Sequence, residues 1–191
     1  MATHYNLLDT QKGDFTLNAV TLAAITGPQN RFLSLTDAKS DAGVPLTAAA
    51  GTPAGAVGVS RTAGTSLVLV GEATSASAKT NKALWELNLP STYVAGANIS
   101  VLVNAIVTGS GTLTAASTTI TVAAYTEING VEAALTVSAA QQFDKTGEAL
   151  TFTVTGTGLV PGQHIAVEVT VLVTTSAGAC TGQLNSIALV A

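Results

Sequence analysis

Charge is what this sequence has least of. Asp, Glu, Lys and Arg make up 9% of its 191 residues, where soluble domains usually carry roughly 25%. The basic residues are scattered, no run of them occurs, and the formal net charge is -4. Recognition of DNA or RNA begins with Lys and Arg neutralising phosphates, so no direct nucleic-acid partner is expected. Arg31 and Arg61 stand alone in sequence and read as ordinary salt-bridge or interface residues.

Cysteine is almost as scarce. Cys180 is the only one, which excludes an intrachain disulfide framework. It sits in the small-residue stretch Ser176 to Gly182, with no basic neighbour in sequence to generate a thiolate, and reads as a small buried side chain rather than a nucleophile. A lone cysteine is compatible with intracellular assembly.

The sequence also lacks the patterns that build chemical sites. The two histidines, His4 and His164, are far apart, and neither belongs to a His-x-x-x-His pair. Asp37 and Asp41 fall in a short polar loop without the oxygen spacing of an EF-hand. Glu86 and Glu168 project from strand-like stretches opposite the apolar phase, which predicts solvent exposure or an intersubunit polar contact. There is no Gly-x-Ser-x-Gly elbow and no phosphate loop. No residue is therefore nominated as catalytic, cofactor-binding or metal-ligating; no cofactor and no enzymatic activity are expected.

Long hydrophobic runs are missing too. Residues Met1 to Asn6 carry neither the positive flank nor the apolar core of a secretory signal. Every apolar stretch is broken by Thr, Ser, Asn or Gly before the roughly 20 residues needed to span a bilayer. No membrane partner is expected. Aromatics amount to 4% and form no stripe with basic residues. Trp85 and Phe152 read as core, and Tyr93 as a cover for one end of the fold or a contact with a neighbour. Carbohydrate binding would need exposed aromatics beside polar groups, a geometry the sequence permits without specifying.

What is present is strand period. In Leu84 to Leu89, Trp85, Leu87 and Leu89 share a face opposite Glu86 and Asn88, and Pro90 ends the run because it cannot donate to a ladder. Similar alternation fills Ile99 to Thr108, Thr118 to Tyr125, Val131 to Val137 and Leu150 to Val154. The longest apolar face is Ile165, Val167, Val169, Val171 and Val173, and Leu184 to Val190 closes the series. Seven or eight short strands rich in β-branched residues, with no crossover helices between them, predict an all-β protein. Burying one face of each sheet makes it a two-sheet antiparallel sandwich, jelly-roll-like, with an irregular and partly extended N-terminal region. Two parts are expected. Residues 1–80 form an arm or small β-element, with apolar stretches Phe15 to Ile25 and Phe32 to Leu35, a Gly-punctuated small-residue run from Ala48 to Gly58, and a strand at Ser66 to Val70. Residues 81–191 form the sandwich.

The stretch Trp85-Glu86-Leu87-Asn88-Leu89-Pro90-Ser91-Thr92-Tyr93-Val94-Ala95-Gly96-Ala97-Asn98-Ile99 resembles the jelly-roll domains of tailed-bacteriophage virion proteins, most of all capsid decoration or cement proteins. Leu159 to Val167 and the closing Gln183 to Val190 strand carry the likeness on, so that it covers roughly the last 105 residues. The resemblance implies a non-enzymatic structural protein that stabilises a capsid through subunit-bridging contacts. It also implies a homotrimer, a major capsid protein or another virion shell protein as partner, and a place on the outer capsid after assembly in host cytoplasm. Residues 1–80 would then be a capsid-binding segment. A tail or surface accessory that binds carbohydrate or a receptor is the alternative.

Overall fold

A computed structural model describes residues 30–61, 67–128 and 131–191. His4, Tyr5 and the Phe15 to Ile25 stretch lie outside the described residues. Among the described residues twelve strands form: β1 (Asn30–Leu33), β2 (Gly58–Arg61), β3 (Leu67–Val70), β4 (Ala78–Asn88), β5 (Ile99–Thr108), β6 (Thr112–Leu113), β7 (Thr119–Ile128), β8 (Val131–Leu135), β9 (Gln141–Gln142), β10 (Glu148–Val154), β11 (His164–Ala177) and β12 (Thr181–Val190). One turn of 3-10 helix, Ala115–Ser117, precedes β7.

The strands pair in a nested order. β3 pairs with β12, β4 with β11, β5 with β10 and β7 with β8, all antiparallel. This is one long hairpin with four strands in each arm. Rolling it up brings β5 against β12 and β7 against β11, which closes two sheets. The first runs β10-β5-β12-β3-β2, with β1 also on β12; the second runs β4-β11-β7-β8, with the short β6 and β9 attached. The protein is an all-β, two-sheet antiparallel sandwich with the strand order of a jelly roll.

The core follows from the alternation. Trp85 and Leu87 from β4 and Ile165 to Val173 on the inward phase of β11 are buried. They meet Val101, Val103, Phe152, Leu184, Ile187 and Leu189 from the opposite sheet. Burying a side chain such as Phe152 is worth up to about 3 kcal/mol. Trp85 satisfies its indole by donating to the Ser34 carbonyl at 2.9 Å. The sheets approach closely at Gly182, where a Cβ would lie 2.5 Å from Val171 Cγ1 and 2.8 Å from Val173 Cγ2. Tyr93 closes one end of the core: it is buried, and its hydroxyl donates to the Ala97 carbonyl. Cys180 is buried with its thiol 3.4 Å from the Gly111 carbonyl, as a small core side chain.

Within the expected N-terminal arm, β1, β2 and β3 belong to the first sheet, and β4 runs through position 80. The small-residue stretch before β2 lies on the chain's own sheet edge. Lys39 exchanges backbone hydrogen bonds with Leu84, both 2.8 Å. Val57 donates to the Lys82 carbonyl at 3.0 Å, and Lys82 to the Gly55 carbonyl at 2.8 Å. The reason is an unpaired edge: β4 borders its sheet, and its free N–H and C=O groups need partners.

Candidate functional site

The outward phase of the second sheet carries the polar chemistry. In an antiparallel sheet, residues at matching register form rows across the strands. One row holds Glu86, Ala166, Tyr125 and Ala134, since Ala166 faces Glu86 on one side and Tyr125 on the other, and Tyr125 faces Ala134. The next row toward the end of the sheet pairs His164 with Asn88 and Glu127 with Glu132. The small Ala166 leaves a depression between longer neighbours. The result is an open cleft of about 280 Å³ lined by Glu86, Tyr125, Thr126, Glu127, Glu132, His164 and Ala166.

The lining is held in place. Lys39 forms an ion pair with Glu86, and that contact, against a smaller cost of burial, holds the carboxyl below the usual range. Thr126 is buried, donates to the His164 carbonyl at 3.0 Å and accepts from Gln163 at 2.6 Å, fixing the start of β11 against β7. The Tyr125 phenol is pushed up by burial first and then by the nearby Glu168 carboxylate, so it stays a neutral hydroxyl with both a donor and an acceptor. Glu127 and Glu132 face each other directly across the β7–β8 hairpin. Like charges in that position cost stability, and here both point to the cleft.

Glu86 is exposed as its phase predicts. Glu168 is not: it is 5% exposed, which corrects the expectation of a solvent-facing carboxylate. It stands one row below the cleft, between Leu84 and Ala123. Lys82 reaches it at 3.2 Å and also reaches Asp41 at 3.3 Å. The loop carrying Asp41 is anchored to β4 through Lys39, and it supplies a second carboxylate to the same lysine. Burial raises the Glu168 carboxyl above its ordinary range, while Asp41 is lowered by its hydrogen-bonded neighbours Glu168 and Lys82.

The structure thus brings Glu86 and His164 together in one cleft and leaves Glu168 beneath it. Asp37 stays in its loop, hydrogen-bonded to Thr36 at 3.5 Å, away from any cluster. Arg31 donates to the Asn88 carbonyl at 3.2 Å. Glu127, Glu132 and Tyr125 had drawn no functional expectation. The sequence does hold one signal for the first two. Asn129-Gly130 is the favoured two-residue hairpin pair, which puts Ile128 opposite Val131 and therefore Glu127 opposite Glu132. Among the described residues, no three His, Cys, Asp or Glu side chains converge as metal ligands. Among them, no helix is long and apolar enough to cross a membrane.

No family model matches the sequence, and no curated protein matches it. Solved structures with similar backbones include TmCBM61 in complex with β-1,4-galactotriose, at 12% identity and a TM-score of 0.41, covering 70% of this chain and 81% of that one. Another is the CBM22-1 xylan-binding domain of Paenibacillus barcinonensis Xyn10C, at 17% identity and a TM-score of 0.39, covering 70% and 79%. A third comes from a study of carbohydrate-binding modules of the β-sandwich superfamily, at 13% identity and a TM-score of 0.36, covering 85% and 56%.

Proposed function

We propose that this chain is a non-catalytic β-sandwich module that binds carbohydrate in the cleft over Ala166. The observation that carries the reading is the composition of that cleft: one tyrosine, three carboxylates and a histidine around a small-residue floor, on a rigid sheet. Carboxylates accept hydrogen bonds from sugar hydroxyls, and the Tyr125 ring offers an apolar wall with a polar tip. A volume of about 280 Å³ lies at the small end of ligand sites, which suits one or two sugar residues rather than a long buried chain. Because the cleft is acidic, neutral and amino sugars are favoured over uronic or sialic acids. Glu86, held ionised by Lys39, is a poor proton donor to a leaving group, which supports binding without bond cleavage.

A glycan array probed with the intact chain, followed by calorimetry on the best ligand, tests this. Binding of a neutral or amino sugar is expected, with a loss of at least about ten-fold, or ~1.4 kcal/mol, in Tyr125→Ala. Absence of binding across the array, or affinity unchanged in Tyr125→Ala, overturns the reading.

The virion-shell role is a second proposal, supported by a different observation: the nested strand order is the fold that the sequence resemblance implies. It requires co-sedimentation of the chain with purified capsid shells as a homotrimer, an assembly incompatible with a two-fold dimer of the same chain. Failure to bind any shell protein of its source would remove it without touching the cleft.

A further inference from the structure

The two outer faces of the sandwich differ in charge. The second sheet carries Glu86, Glu127, Glu132 and Glu168 on its outward phase, with His164 among them. On the first sheet, the outward phase of β5, β10 and β12 holds no Asp, Glu, Lys, Arg or His at all. Glu148, the one charged residue in those three strands, pairs with Ala105 on the inward phase. One row across this uncharged face reads Phe32, Ala188, Leu102, Thr151. Phe32 is 76% exposed at one side, Ala188 is small and buried beside it, and Thr151 is low and exposed at the other side.

We infer that this face is a contact surface for a second copy of the chain, packed face to face about a two-fold axis parallel to the strands. Three observations choose that occupant. The first is electrostatic: an uncharged face meets its own copy without desolvating an ion, whereas a charged partner would find no counter-ion there. The second is size. The strands of this face, β1, β5, β10 and β12, have 4, 10, 7 and 10 residues, which at ~3.3 Å rise and ~4.8 Å spacing is roughly 490 Å² a side, so two copies bury about 1,000 Å², the size a specific interface needs. The third is shape. A two-fold axis along the strands turns the Phe32 side of one copy over the Thr151 side of the other, so a projecting ring meets a low surface twice. An exposed aromatic beside small side chains is the composition of an interface anchor.

Sedimentation equilibrium of the full chain over a wide concentration range tests the inference. A two-chain mass is expected, with Phe32→Glu and, separately, Thr151→Lys each raising the dissociation constant at least about ten-fold and leaving the thermal unfolding of the dilute monomer unchanged. Both positions are exposed, so neither substitution removes core packing. A monomer at every concentration overturns the inference. So does a trimer, or a dimer insensitive to both substitutions. Unfolding of a dilute monomer at lower temperature in Phe32→Glu also overturns it, because the face would then be covered by the chain's own residues. Glycan affinity is a separate readout, since the cleft lies on the opposite face.

Discussion

Glu168 shows how a single position escapes the strand rule. Alternation assigns it to the outward phase correctly, and the outward phase of a sandwich is usually wet. Here the Asp41 loop and Lys82 lie over it. No pattern local to residues 165–173 encodes that cover, because the partners are 86 and 127 positions away in sequence. The consequence is measurable. A carboxyl whose folded-state pKa is raised contributes stability that is complete below its ordinary value of 4.5 and is lost as pH rises through the raised value. The stability of the wild type relative to Glu168→Gln should therefore be greatest in acid and fall toward neutral pH, read from denaturant midpoints across a pH series. Glu86 works in the other direction: its lowered value means that its contribution is present above the ordinary range and is lost as acid protonates it. An unfolding difference independent of pH would show that Glu168 is solvated.

Strands were the most legible elements, and β11 is the clearest. Its five inward residues are all buried, and its outward threonines line a sheet surface. The element β12 adds something that period alone does not give, the spacing between sheets. Gly182 sits on it where a Cβ would meet two β-branched side chains of β11 that have little rotamer freedom. Gly182→Ala should cost about 1–3 kcal/mol, seen as a lower urea midpoint with an unchanged slope. A midpoint equal to the wild type would mean that the sheets have slack there. The cleft was harder to read than the strands that build it. Glu86, Tyr125, Glu132 and His164 come from four strands, and they become neighbours only through register, which sequence period leaves undetermined. Only the Asn129-Gly130 signal fixes one part of that register in advance.

At the scale of the molecule, each sheet draws strands from both halves of the chain. β12 is bordered by β5, β3 and β1, and β11 by β4 and β7, so neither sheet can close without strands from far along the sequence. Separate unfolding of the early strands is not expected. Fluorescence of Trp85, the only tryptophan, and far-ultraviolet circular dichroism should report one coincident transition; two separated transitions would show that residues 30–70 fold as their own unit.

The ladder between β1 and β12 has a further meaning. Asn30 and Val190 are direct partners across it, so the first and last strands of the described residues begin and finish at the same corner of the sandwich. Opposed residues in such a ladder are only about 5 Å apart, and a few residues of linker could therefore tie the two positions into a closed ring.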